Sequence, residues 1–117
     1  MQRGLNKVMV IGWITGVPEF RYTAQGRLVA SLNLSTTQSW VASDGSRLDK
    51  TEWFNVVVWG DLAEQSHECL VDGQQLYVEG RLQTRSWEDK EGNKQYRTEV
   101  IAQDLVALGL RPESRFP

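Results

Sequence analysis

A chain of 117 residues suits a single domain that buries its own core. Its one histidine and one cysteine cannot form a zinc site. Neither a metal nor a cofactor is expected. No run is long enough to span a membrane and no signal peptide is evident, which predicts a cytoplasmic location. The net charge of −2 argues mildly against a nucleic-acid partner, although residues 1–30 are basic, and a local basic groove matters more for phosphate binding than the total charge.

Five runs of the sequence have the alternating or continuous apolar pattern of β-strands. In chain order they are Lys7–Gly12, Arg27–Trp40, Thr51–Trp59, Gln75–Trp87 and, with a less regular alternation, Tyr96–Leu108. Glycine-containing turns separate several of them, as expected for strands joined by hairpins. This spacing predicts a small all-β barrel or sandwich.

The segment Asp61–Val71 has helical spacing instead, with one face formed by Leu62, Ser66, Cys69 and Leu70. Asp61 followed by Glu64 predicts a capping box at its start. Five strands with one short helix between strands 3 and 4 is the order of an OB-fold, a five-stranded Greek-key barrel that binds oligonucleotides and oligosaccharides. Residues 1–108 are therefore predicted to form this domain, and residues 109–117 a short C-terminal tail.

The five tryptophans are the most informative residues, because four of them stand at strand ends or beside polar loops: Trp40, Trp53, Trp59 and Trp87. A tryptophan with one face in water is an apolar platform on which nucleic-acid bases stack, while nearby lysines and arginines bind the phosphates. The alternative is that these large rings fill the β core.

Side-chain alternation favours the exposed reading, since aliphatic residues identify the core face of each strand. The core face is Phe54, Val56 and Val58 in the third predicted strand, and Leu76, Val78, Gly80 and Leu82 in the fourth. The opposite faces carry Trp53 and Trp59 on one strand, and Arg81, Arg85 and Trp87 on the other. Such a face has to be covered by stacked bases or by another protein subunit.

Several short motifs occur in one order along the chain: RGLNKV from Arg3, PEFRY from Pro18, TEW from Thr51, GDLAE from Gly60, VEGRL from Val78 and TRSW from Thr84. Together they resemble, over about residues 3–108, the DNA-binding domain of the bacterial single-stranded DNA-binding proteins. The resemblance implies an OB-fold that assembles as a homotetramer, a dimer of dimers, with single-stranded DNA wrapped around it. It implies binding with little sequence preference, no enzymatic activity, and protection of DNA during replication, recombination and repair at the bacterial nucleoid.

The resemblance also implies roles for individual residues. Trp40, Trp53 and Trp87 match base-stacking tryptophans, and Trp59 matches an aromatic that stacks on or crosslinks to a base. The basic residues that match the phosphate path are Arg3, Lys7, Arg21, Lys50 and Arg85. The hairpins around Asp44-Gly45 and over Glu88–Gln95 match two DNA-contacting hairpins.

The chain departs from the family in several places. Trp13 occupies a usually polar position, where it is an extra stacking ring, an interface residue or a residue packed at the barrel mouth. Phe54 and Asn55 replace residues near a subunit contact, and Gln83 replaces a common basic residue. No acidic tip follows the domain, so binding of partner proteins through such a tip is not implied. An adaptor of protein–protein contacts and an oligosaccharide-binding module on the same fold remain open as alternatives.

Overall fold

The computed structural model describes residues 3–110. Its strands are β1 (Val8–Ile14), β2 (Glu19–Tyr22), β3 (Leu28–Val41), β4 (Arg47–Trp59), β5 (Gln74–Glu88) and β6 (Lys94–Leu110). Helix α1 (Gly60–Ser66) and a 3-10 turn (His67–Cys69) connect β4 to β5. The five predicted strands are β1 and β3 to β6, and the four-residue β2 was not predicted. Because β6 continues to Leu110, the predicted boundary at residue 108 falls inside a strand, and the rest of the predicted tail lies outside the described residues.

The strands form one sheet in the order β1-β5-β6-β4-β3-β2, and a short pairing of β1 with β3 closes it into a barrel. The neighbours pair antiparallel except β4 and β6, which run parallel where Val56 and Val57 meet Val100 and Ile101. At the closure, Trp13 pairs with Ser35 and Ile14 with Leu34. The architecture is therefore the predicted OB-fold barrel with one short helix between its third and fourth long strands.

Close backbone approach explains the glycine in β1. A Cβ atom on Gly12 would lie 2.6 Å from the carbonyl oxygen of Ser35 and 2.9 Å from Cγ of Leu34. A residue with a side chain at this position would therefore push β3 away and open the barrel. Glycine lets the two strands come together where the sheet closes on itself.

The core fills the barrel with aliphatic side chains, of which the fully buried ones include Ile14, Leu34, Val56, Val58, Leu76 and Val78. The predicted core faces are correct along β4 and along β5 as far as Gly80. Leu82 was predicted inside but is exposed. Beyond Gly80, β5 pairs with β6 alone, so the two strands leave the barrel as a hairpin arm without a layer to cover Leu82.

Helix α1 covers one end of the barrel with Ala63, while Leu70 follows the 3-10 turn into the core. The predicted capping box is wrong: Trp59 is the N-cap residue and no side chain caps the helix. The chain enters the helix directly from β4 through Gly60, so Asp61 already lies in the first turn. Cys69 packs against the core, and burial raises the pKa of its thiol.

Candidate nucleic-acid interface

One continuous face of the sheet runs across β2, β3, β4, β6 and β5. Residues that pair directly in neighbouring strands share a face of the sheet. Trp59 pairs with Val29 and Val29 with Arg21, whereas Val57 pairs with Ile101 and Ile101 with Arg81. We call this surface the outer face; its polar and aromatic residues include Glu19, Arg21, Ser31, Asn33, Trp53, Asn55, Trp59, Arg81, Gln83, Arg85, Trp87, Arg97 and Glu99. The placement agrees with the alternation predicted for Trp53, Trp59, Arg81, Arg85 and Trp87.

The β3–β4 hairpin extends from the barrel and carries tryptophans on both sides. Trp53 pairs with Ser35 on the outer face and is 60% exposed. Trp40 pairs with Leu48, and the unbroken register of the hairpin puts this pair on the opposite face from Trp53. Lys50 also lies on the face of Trp40, and its Nζ is 3.2 Å from Oε1 of Glu52. The hairpin therefore separates two predicted base-stacking rings.

A buried carboxylate lies at the centre of the outer face. The side chain of Glu99 is only 8% exposed, and its Oε1 is 3.1 Å from Nε of Arg85. Its Oε2 is 3.9 Å from Nε of Arg97, whose Nη2 donates a hydrogen bond of 2.6 Å to Oδ1 of Asn55. Ion pairs with guanidinium groups offset the desolvation cost of a buried carboxylate. Glu99 thus holds two arginines across β5 and β6, and it partly neutralises them.

Arg85 makes a second contact along its own strand, because its guanidinium carbon lies 5.0 Å from the ring centroid of Trp87. Asn55, Arg97 and Glu99 were not predicted as site residues. Arg97 and Glu99 have the two-residue spacing of one strand face, which is the signal that could have identified them. The pairing of β6 with β5, which puts them beside Arg85, requires the structure.

The Trp59 end of the outer face has a different composition. The guanidinium carbon of Arg27 lies 5.2 Å from the ring centroid of Trp59, which is a cation–π distance. Gly60 leaves room for this contact, since a Cβ atom there would lie 2.9 Å from Nε of Arg27. Arg27 precedes β3 and was not predicted as a site residue. Its approach to the end of β4 follows from the β3–β4 register.

The N-terminal segment lies beside the β5–β6 arm. Asn6 accepts a hydrogen bond of 2.9 Å from the backbone N–H of Leu82 and donates one of 2.8 Å to its carbonyl oxygen. Nζ of Lys7 is 3.3 Å from Oε2 of Glu79, while Oε1 of Glu79 accepts a hydrogen bond of 2.9 Å from the Tyr77 hydroxyl. The Tyr77 hydrogen bond and then Lys7 lower the pKa of Glu79, and the same hydrogen bond raises the pKa of Tyr77. Arg3 is exposed at the start of this segment.

Acidic residues near the two hairpin tips stabilise the turns. Oδ1 of Asp89 accepts 2.9 Å hydrogen bonds from the backbone N–H groups of Glu91 and Asn93, and the bond from Asn93 is the main reason that the pKa of Asp89 is lowered. Oδ1 of Asp44 accepts a hydrogen bond of 2.6 Å from the Ser46 hydroxyl, which lowers the pKa of Asp44. These carboxylates are engaged with the chain itself.

Three shallow grooves lie on the outer face, and the smallest, of about 240 Å³, is lined by residues that include Arg21, Trp59, Arg85 and Glu99. The first, of about 550 Å³, is lined by residues that include Arg21, Asn33, Asn55, Arg85 and Arg97. The second, of about 480 Å³, is lined by Arg27, Trp59, Leu62, Arg81, Gln83, Ile101, Ala102 and Gln103. Among residues 3–110, no three His, Cys, Asp or Glu side chains are grouped as metal ligands would be. No helix in this range has the length and hydropathy to cross a bilayer. The grooves suit an elongated ligand with flat rings and negative charge.

Trp13 lies at the barrel closure. It pairs with Ser35 on β3 and with Gln75 on β5. Since Ser35 pairs in turn with Trp53, the three residues form one row across β1, β3 and β4. The carbonyl oxygen of Trp13 lies 3.4 Å from the hydroxyls of Thr15 and Ser35 and accepts hydrogen bonds from them. Trp13 is half-buried in this row and shares the face of Trp53.

Comparison with known proteins gives one consistent result. The sequence model of the Single-strand binding protein family matches residues 5–108. The chain is 46% identical over 112 residues to single-stranded DNA-binding protein 1 of Chlorobaculum tepidum, covering 95% of this chain and 69% of that protein. It is 42% identical over 111 residues to single-stranded DNA-binding protein 1 of Xylella fastidiosa, with coverages of 94% and 82%.

Solved structures give the same result. The Plasmodium falciparum SSB in complex with ssDNA superimposes with a TM-score of 0.80 and 29% identity, covering 92% of this chain and 98% of that one. A deletion mutant of the single-stranded DNA binding protein from Thermus aquaticus gives a TM-score of 0.77 and 35% identity, covering 92% of this chain and 52% of that one. The fold derived above from strand order and register is thus shared with these proteins.

Proposed function

Because this chain belongs to the single-strand binding protein family, as its sequence motifs predicted, we propose that it binds single-stranded DNA along the outer face. Bases stack on Trp53, Trp59 and Trp87, while arginine and lysine side chains neutralise phosphates. Trp40 and Lys50 contribute from the other side of the β3–β4 hairpin, when this hairpin closes over the strand. Arg3 and Lys7 add positive charge beside the β5–β6 arm.

The observation that carries this proposal is the composition of the outer face, where Trp53, Trp59 and Trp87 share one side of the sheet with Arg21, Arg81, Arg85 and Arg97. Every base has a flat face, so stacking on tryptophan selects little between sequences. A duplex keeps its base faces inside the helix, so the same rings discriminate against double-stranded DNA. The protein acts by binding and carries out no reaction. Its role is to protect exposed single strands during replication, recombination and repair in the cytoplasm, at the nucleoid.

We propose that the assembled form is a homotetramer, and the surface that supports it lies on β1, β5 and β6. Ile11 pairs with Tyr77 and Tyr77 with Val106, so these side chains share one face, and Met9 lies on the same face of β1. Met9, Ile11 and Val106 are exposed, which leaves an apolar patch without cover in the isolated chain. A second copy of the chain would bury it.

Ile11→Glu is expected to lower the assembly state, because it puts a charge in the centre of the apolar patch. Sedimentation equilibrium should give about four protomer masses for the wild type and a smaller mass for the variant. Val41→Glu is the matched control, since Val41 is an exposed aliphatic residue on the β3–β4 hairpin, away from this patch. A variant mass equal to that of the wild type would contradict this interface.

The binding proposal is tested by the tryptophan fluorescence of the protein titrated with a dT oligonucleotide, a matched duplex and a neutral oligosaccharide. We expect strong quenching by the single strand, little by the duplex, and none by the sugar. The logarithm of the affinity should fall with the logarithm of the salt concentration, with a slope near −0.7 per neutralised phosphate. Absence of quenching by dT at low salt would reject DNA binding and favour a protein–protein adaptor, whereas salt-independent quenching by the sugar would favour an oligosaccharide-binding module.

A further inference from the structure

The basic residues of this protein fall into two electrostatic groups. Lys7, Lys50 and Arg85, which the sequence assigns to the phosphate path, each form an ion pair, with Glu79 at 3.3 Å, Glu52 at 3.2 Å and Glu99 at 3.1 Å respectively. Arg3, Arg21, Arg27 and Arg81 form no ion pair with any residue in the range 3–110. The resemblance to the family does not distinguish these two groups.

Two of the arginines without an ion pair lie beside a single ring. The guanidinium of Arg27 lies over Trp59 at 5.2 Å. Arg81 lines the second groove together with Arg27 and Trp59. We call Arg27, Arg81 and Trp59 the Trp59 cluster; Arg21 lines the first groove instead.

The second groove contains no carboxylate among its described lining residues, whereas the smallest groove, which Trp59 also lines, includes Glu99 in its ion pair with Arg85. The first groove, in contrast, includes Glu19 and Glu99 beside its arginines. Carboxylates therefore repel a DNA phosphate in the first groove, whereas no carboxylate lines the second. A cation that is already paired gains less from a phosphate, because the phosphate has to share it with the carboxylate or displace it.

We propose that the Trp59 cluster is the principal phosphate anchor of this protein, a subsite that holds the backbone of the single strand on Arg27 and Arg81 with one base against Trp59. Arg27 occupies one face of the Trp59 ring, so the base uses the other. The Trp53 and Trp87 end of the outer face then contributes base stacking more than phosphate binding. This inference rests on the proposed binding of single-stranded DNA.

The test compares two double variants that remove equal charge, Arg27→Gln/Arg81→Gln and Lys7→Gln/Lys50→Gln. Affinity for a labelled dT oligonucleotide is measured by fluorescence anisotropy over a range of salt concentrations. The arginine variant is expected to bind at least about tenfold more weakly and to lose about 1.4 of the salt slope, which is two phosphates at 0.7 each. The lysine variant should change the affinity and the slope much less.

Controls separate folding from binding. Thermal unfolding of both double variants should match that of the wild type. The single variant Arg27→Lys should retain most of the wild-type salt slope, because it keeps the charge. An equal or larger effect of the lysine variant would overturn the anchor while leaving DNA binding intact. A wild-type protein that does not bind dT at low salt would instead reject the proposed function itself.

Discussion

Trp53→Ala is expected to weaken binding of a dT oligonucleotide by roughly 5- to 150-fold, the equivalent of about 1–3 kcal/mol for one lost base stack. The ring is 60% exposed and lies on the outer face at the root of the β3–β4 hairpin. Because so little of it is buried, the substitution should leave the stability of the barrel almost unchanged. Anisotropy of a labelled oligonucleotide measures the affinity without relying on the tryptophan that is removed.

Trp40→Ala is the matched control for this experiment. Trp40 is 44% exposed on the same hairpin, but it faces away from the outer face. It can reach a base only where the hairpin folds over the strand, so its removal should weaken binding clearly less than the removal of Trp53. Equal losses for the two variants would mean that the strand follows both sides of the hairpin, and the outer face would not define the binding path.

Much of the outer face could be predicted from sequence because successive side chains of β4 and of the first half of β5 point to opposite faces without interruption. Once Val56 and Val58 are placed in the core, Trp53 and Trp59 have to lie outside. The same argument could not place Trp40 relative to Trp53. Their faces are related through the register across the turn near Gly45, and the pairing of Trp40 with Leu48 is known only from the structure.

Irregularities in the β5–β6 pairing limited the prediction further. Register shifts occur between Gln75 and Leu76 and between Glu79 and Gly80, so the faces of β6 cannot be counted from one end. This is the physical reason for the irregular alternation seen in the sequence there. Arg97 and Glu99, which face Arg85 and Gln83, were missed as a consequence. The four residues of β2 are too few to show a period, so that strand was missed as well.

The ion pairs between different strands could not be predicted from the sequence. Charged residues that are far apart in sequence, such as Lys7 and Glu79 or Arg85 and Glu99, meet only through strand pairing. A sequence motif identifies a basic residue but not whether a carboxylate already neutralises it. The division of the basic residues into paired and unpaired groups, which underlies the Trp59 cluster, is therefore information that only the fold supplies.

Gly80→Ala is expected to lower the free energy of unfolding by about 3 kcal/mol or more, near the upper end for overpacking a core. A Cβ atom on Gly80 would overlap the carbonyl oxygen of Ile101 and would lie 3.2 Å from Cα of Ala102. Both neighbours are backbone atoms of β6, which cannot rotate away as a side chain would. The melting temperature should fall by roughly 10 °C or more for a chain of this size.

The consequence for binding follows from where Gly80 lies. Its neighbours Arg81 and Ile101 belong to the outer face, and displacement of β6 at this point would also move Glu99 and the arginines that it holds. Ser86→Ala, on the exposed arm of the same strand, also introduces an alanine but causes no clash. Its free energy of unfolding should therefore equal that of the wild type. Chemical denaturation at one fixed protein concentration measures both variants, because assembly couples stability to concentration. If the free energy of unfolding of Gly80→Ala lies within about 1 kcal/mol of the wild-type value, β6 moves at the register shift and accepts the added Cβ atom. The outer face is then more easily deformed than close packing of these strands implies.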